Sequence, residues 1–139
     1  MAVLFPFEVH TPYRPFFSDK VEAVSLTLAD GEVGIYANHS PFIAPVVTGI
    51  LRLKDKNGEW RSAFISNGII EVKKRKAVLV TDTAEWPSEI DRERAEASGK
   101  QAEADLSAGA FKFEVAGLKE KVRRSRFRLK VAGEMRKEE

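Results

Sequence analysis

Two histidines, a few serines near turns and a dense block of arginine and lysine are the side chains of this 139-residue sequence that invite a chemical reading. His10 stands beside Thr11-Pro12, and His39 lies within Asn38-His39-Ser40-Pro41. Neither has a second histidine or a carboxylate at ligand spacing, so no zinc-type site is expected. Ser40 and Ser66 lie near turns, but no Gly-x-Ser-x-Gly elbow is present to expose a serine nucleophile. The glycine patterns of P-loops and dinucleotide folds are missing too. With no cysteine there is neither thiolate chemistry nor a disulfide framework, which fits a reducing compartment. The expectation is a chain that is not itself an enzyme and requires no cofactor or metal.

What remains is charge. Lys119, Lys121, Arg123, Arg124, Arg126, Arg128 and Lys130 crowd into twelve positions against the single acid Glu120. On a helix, Arg124 and Arg128 repel each other at i,i+4. An anionic partner relieves that repulsion, and the guanidinium fork suits carboxylate and phosphate. A second cluster is Ile90-Asp91-Arg92-Glu93-Arg94-Ala95, where Asp91 and Arg94 are i,i+3 neighbours. The alternative is a freestanding sandwich whose basic helix binds nucleic acid. Phe127 is the one aromatic residue in the block, which gives no stacking array, and a net charge of +2 is mild for that role.

The elements that must position these residues fall into two halves. From Phe5 to about Asp82 the chain is built of short strands. Val24, Leu26 and Leu28 alternate with Ala23, Ser25 and Thr27; Leu51 and Leu53 alternate with Arg52 and Lys54. Asn57-Gly58 then predicts a tight hairpin into Trp60, Ser62 and Phe64, with positive φ at both central turn residues. Ile69 to Val72 continues through Lys73-Lys74-Arg75-Lys76 to the run Ala77 to Thr81. Many short strands with close turns predict an antiparallel sandwich or barrel.

After Trp86-Pro87 the period becomes helical. Ser88 is the expected cap, with Glu89 and Asp91 in the first turn. Alanines favour the first helix, and Gly99 is a weak point in it. Ser107-Ala108-Gly109 interrupts. Phe111, Val115, Leu118, Val122, Ser125, Leu129 and Ala132 then recur at coiled-coil spacing along a second helix. The expected organisation is a β-sandwich over 1–84 and a two-helix antiparallel hairpin over 85–139, with helices at about 89–106 and 110–133. The apolar but uncharged start, Met1 to Phe7, lacks a basic n-region and meets Glu8 at once, so a mature cytoplasmic chain is expected. No apolar run reaches the roughly 20 residues that cross a bilayer.

The stretch Asp30-Gly31-Glu32-Val33-Gly34-Ile35-Tyr36-Ala37-Asn38-His39-Ser40-Pro41, with Gly49 and Ser66-Asn67-Gly68-Ile69-Ile70-Glu71-Val72, strongly resembles the epsilon subunits of bacterial rotary ATP synthases. Phe7-Glu8-Val9 with Thr11-Pro12, and Val80-Thr81-Asp82-Thr83-Ala84, continue the resemblance over essentially the whole chain. It implies a central-stalk subunit whose sandwich binds the gamma subunit and the c-subunit ring. It also implies a location on the cytoplasmic face of the plasma membrane, reached through the complex. In that family the hairpin folds against the sandwich or extends into the alpha/beta headpiece and blocks ATP hydrolysis. The residues that would meet the acidic segments of the catalytic subunits are Lys121, Arg123, Arg124, Arg126 and Arg128. Some bacterial members hold ATP on the folded hairpin, through a motif that Ile90 to Ala95 matches. By that resemblance Glu85 and Ala95 would lie near adenine, Asp91 and Arg94 would contact the nucleoside, and Arg124 and Arg128 would hold the phosphates. Gln101 departs from members with a basic residue there.

Overall fold

The computed structural model describes residues 3–134 and divides into two compact units, one ending at Ala84 and the other starting at Glu85. The first unit is a nine-stranded sheet folded on itself. Its strands are β1 (Phe5–His10), β2 (Pro15–Leu28), β3 (Gly31–Tyr36), β4 (Phe42–Val46), β5 (Gly49–Asp55), β6 (Trp60–Ile65), β7 (Gly68–Val72), β8 (Ala77–Thr81) and the two-residue β9 (Ala84–Glu85), whose second residue is the first of the next unit. The long β2 makes the two-layered form possible. Its first half pairs with β1, from Val21 opposite Phe5 to Phe17 opposite Val9. Its second half pairs with β3 and β5, after a register shift between Val21 and Ala23. A shift of that kind bends and twists a strand, so that one strand serves both layers. Among strands β1 to β8 the pairing is antiparallel except between β1 and β8, which run parallel.

Alternation explains most of the core. Phe7 and Val9 point inward from β1, Val24 and Leu26 from β2, and Leu51 and Leu53 from β5, all fully buried. The β6 strand departs from the expected alternation, because Ser62, Ala63, Phe64 and Ile65 are all buried. The turn before it also differs. Asn57 does not take positive φ, and only Gly58 does, at +80°. The loop is longer than a two-residue turn because the Asp55 carboxylate accepts the N–H groups of Asn57 and Glu59, at 2.9 and 3.0 Å. Where β6 and β8 end and β7 begins, buried polar groups satisfy one another. The Thr81 hydroxyl donates to the Ser66 carbonyl at 2.9 Å, and the Ser66 hydroxyl accepts the Thr83 N–H at 2.9 Å. Ser66 is therefore a structural residue.

The second unit begins with a single 3-10 turn, Pro87–Glu89, in which the Glu89 carboxylate accepts the Trp86 N–H at 2.9 Å. Helix α1 (Arg92–Ser107) starts later than the sequence suggests, because its N-cap is Asp91 and not Ser88. The Asp91 carboxylate accepts the Arg94 N–H at 3.0 Å and so satisfies one of the orphan donors of the first turn. The helix stops at Ala108, and Gly109, with φ of +87°, takes the left-handed position that closes a helix. Helix α2 (Lys112–Gly133) follows. Leu118, Val122, Ser125 and Ala132 are buried along it, as the spacing predicts. Phe111 does not belong to that seam. It is the extended N-cap of α2, 70% exposed, and its ring stacks on Phe113 with centroids 5.8 Å apart.

His10 has a carboxylate beside it after all. Strand periodicity puts residues i and i+2 on one side, and His10 Nε2 lies 2.8 Å from the Glu8 carboxylate, which also receives the Lys76 ammonium. The Lys76 hydrogen bond first, and then that from His10, hold the Glu8 pKa below its ordinary 4.5. A carboxylate with a depressed folded-state pKa stabilises the fold above its unfolded value, and that contribution is lost as pH falls through the folded one. In urea unfolding followed from neutral pH downward, stability should therefore decline below pH 4.5. Glu8→Gln should decline less steeply, and equal slopes would refute the assignment.

Candidate functional site

Small residues bring the two helices of the second unit together. Ala95, Gly99 and Ala102 are the buried residues of α1, spaced four and three apart on one face. Opposite them Ser125 of α2 donates its hydroxyl to the Ala95 carbonyl at 2.8 Å. A Cβ added to Gly99 would fall 2.7 Å from the Ser125 Cβ and nearer still to its Oγ. Gly99 is thus the point of closest approach, and its cost in helix propensity is offset by contact. Below it, Ala102, Leu118 and Val122 form an apolar cluster with Leu106 and Ala110 packed against it.

Beside this contact lies a small basic cleft of about 120 Å³, lined by Ala95, Ser98, Lys121, Arg124, Ser125 and Arg128. Both arginines are already engaged. Arg124 Nε donates to the Glu120 carboxylate at 3.1 Å, and Arg128 Nε donates to that of Glu85 at 2.9 Å. These guanidinium groups sit where an anion fits, and carboxylates of the same chain hold them in place. The volume is below the roughly 300 Å³ of ordinary small-molecule pockets. It suits a phosphate-sized group in the present form of the hairpin.

The residues expected to act together are distributed as follows. Ala95, Arg124 and Arg128 share the cleft, and Glu85 joins it through Arg128. Ile90 is buried, Asp91 is occupied as the helix cap, and the Arg94 side chain is exposed; none of the three lines the cleft. The basic block divides between two faces of α2. Lys121 stands with Arg124 and Arg128, whereas Arg123 and Arg126 line a wider groove of about 610 Å³ floored by Leu106, Val122 and Phe127. Arg123 also bonds Glu120, at 2.8 Å. Sequence reasoning missed Ser98, Ser125 and Glu120 as parts of this site. The pairing of a glycine in one helix with a serine in the seam of the other was the available signal.

Among the described residues no group of three or more His, Cys, Asp or Glu is placed to hold a metal ion. No helix among the described residues is long and apolar enough to cross a membrane. The structure is a β-sandwich followed by a helical hairpin with a small basic cleft on one face. A family model for the ATP synthase Delta/Epsilon chain beta-sandwich domain matches residues 4–87. The ATP synthase epsilon chain of Caldicellulosiruptor bescii is 43% identical over 96% of this chain and 97% of its own length. That of Caldanaerobacter subterraneus subsp. tengcongensis is 38% identical over 95% and 96%. Among solved structures, a chain of the Euglena gracilis mitochondrial ATP synthase aligns with a TM-score of 0.71 at 18% identity, covering 99% of this chain and 82% of that one. A chain of the Tetrahymena thermophila mitochondrial ATP synthase central stalk and c-ring aligns at 0.60 and 12% identity, covering 94% and 98%. The chain belongs to the ATP synthase epsilon chain family.

Replacing Gly99 tests the contact that shapes the cleft. Gly99→Ala raises helix propensity by about 1 kcal/mol, but it overpacks the Ser125 contact at a cost of about 1–3 kcal/mol. Hydrogen exchange in α1 should become faster. Exchange slower than in the parent chain would show that the helices do not meet there.

Proposed function

We propose that this chain is a non-catalytic subunit of the central stalk of a bacterial rotary ATP synthase, and that its hairpin is an ATP-sensitive brake on hydrolysis. In this reading the sandwich binds the gamma subunit and the c-subunit ring, at the cytoplasmic face of the membrane. The hairpin, when opened, offers its basic helix to acidic segments of the alpha/beta headpiece. Family membership and the two-unit fold support the stalk role.

The observation that carries the regulatory part is the state of Arg124 and Arg128. Two guanidinium groups one helical turn apart are held by Glu120 and Glu85, in pairs that are about a quarter to a third exposed. Such pairs contribute at most about 1 kcal/mol each, so a triphosphate of higher charge can displace the carboxylates. Nucleotide bound there bridges Ala95 and Ser98 of α1 to the arginines of α2 and favours the closed hairpin. Its effect on the equilibrium equals its preference for that form. When ATP is scarce the hairpin opens more often, and hydrolysis stops.

Isothermal calorimetry on the whole chain tests the nucleotide part. Arg124→Ala should weaken ATP binding by about 10- to 150-fold, the worth of one charge-assisted hydrogen bond. Glu120→Gln should tighten it by up to about fivefold, because an internal competitor is removed. Binding indifferent to both changes contradicts the site. For the brake, an assembled enzyme lacking residues 85–139 should hydrolyse ATP faster than the intact one, and no rise contradicts an inhibitory hairpin. A gamma-subunit pull-down that fails to retain the chain would overturn the stalk role.

A further inference from the structure

The wider groove of the hairpin has no part in the nucleotide reading. Leu106 of α1 with Val122 and Phe127 of α2 give it an apolar floor, and its volume of about 610 Å³ falls in the range of ordinary small-molecule pockets. Val122 is buried, and Leu106 and Phe127 are half-buried. Along one rim stand Lys119, Arg123, Arg126 and Lys130, at i, i+4, i+7 and i+11 of α2. That spacing keeps them on one side of the helix, over a length of about 16 Å. The α1 rim supplies one carboxylate, Glu103.

Most of that positive charge is uncompensated. Arg123 bonds Glu120, but Lys119, Arg126 and Lys130 are exposed and have no ion-pair partner among the described residues. Lys119 repels Arg123 and Arg126 repels Lys130, each at i,i+4. The surroundings narrow the kind of anion that relieves this. The methylene stems of Lys119 and Lys130 add to the apolar floor, so the walls are mostly carbon. A bare inorganic anion would give up hydration there without using that surface. Neither does solvent gain from it. The cleft on the other side of α2 differs, because Ala95 is the one apolar side chain in its lining.

We propose that this groove binds a single amphiphilic anion, a medium-chain alkyl carboxylate in chemical class, with its head on the α2 cations and its tail over Leu106, Val122 and Phe127. The site draws on both helices, so the ligand favours the closed hairpin by its preference for that form. This goes beyond the nucleotide reading and does not require ATP to bind.

Nuclear magnetic resonance titration of the full chain with octanoate and decanoate, each below its micelle-forming concentration, tests this. Amide shifts should cluster at Leu106 and from Lys119 to Lys130. Decanoate should bind more tightly than octanoate, by up to about fourfold for each added methylene that is buried. Arg126→Ala/Lys130→Ala should weaken decanoate by about 2- to 25-fold, the worth of two exposed charge contacts. Both side chains are in solvent, so that variant keeps its fold. Phe127→Ala should flatten the gain from octanoate to decanoate. Lys74→Ala/Arg75→Ala, which removes two exposed cations of the sandwich, should bind like the parent chain. Decyltrimethylammonium, with the same tail and a cationic head, should leave these amides unshifted. Equal affinity for octanoate and decanoate, or displacement of decanoate by acetate at matched ionic strength, would show a simple anion site and overturn the proposal. Full binding by the Arg126/Lys130 variant, or equal binding of the cationic amphiphile, would overturn it too.

Discussion

The hairpin depends on one close approach. Where Gly99 faces Ser125 there is no room for another carbon, and the serine hydroxyl reaches across to the Ala95 carbonyl. Two helices that meet through Ala95, Gly99 and Ala102 bury little apolar area. Their association rests on backbone proximity, one hydrogen bond and a short cluster around Leu118 and Val122. Such a contact has a definite geometry without a large energy behind it. Elements that must open are drawn from the low-stability end of a structure, and a seam of small residues supplies that property. The sandwich is built differently, with Phe7, Leu26, Leu51, Phe64 and Leu79 fully enclosed.

Charge is arranged to match. Glu120 and Glu85 occupy the guanidinium groups of α2 as internal anions, so the basic helix avoids the repulsion its sequence implies. Neither pair is deeply buried, and neither is expensive to break. In the proposed reading the same arginines have three successive partners: the chain's own carboxylates, a nucleotide, and the acidic headpiece. The equilibrium among these is set by differences of a few kcal/mol, the scale on which a ligand can switch a population.

Much of this was legible in the sequence, for physical reasons. Alternation at Val24, Leu26, Leu51 and Leu53 has a period fixed by the pleat, and it located the strands. The seam from Leu118 to Ala132 has a period fixed by the helix. Asn57-Gly58 marked a hairpin, but the Asp55 carboxylate, which reorganises the loop, acts through hydrogen bonds no pattern reveals. Ser88 reads as the cap in the sequence, but the 3-10 turn at Pro87–Glu89 moves the helix start and makes Asp91 the cap. Gly99 reads as a defect in one helix and becomes a requirement only when the other helix is present. The arginine block was visible as a block. Its division between two faces, and the carboxylates that hold it, depend on side-chain positions set by the tertiary fold.

In the proposed reading nucleotide acts by holding α1 on α2 across the Gly99–Ser125 contact. Native-state hydrogen exchange on the whole chain, with and without millimolar ATP, measures this directly. ATP should slow exchange at the amides around Ala95 to Ala102 and around Val122 to Ser125, and leave β5 and β6 unchanged. Identical exchange in the hairpin with and without ATP would contradict it.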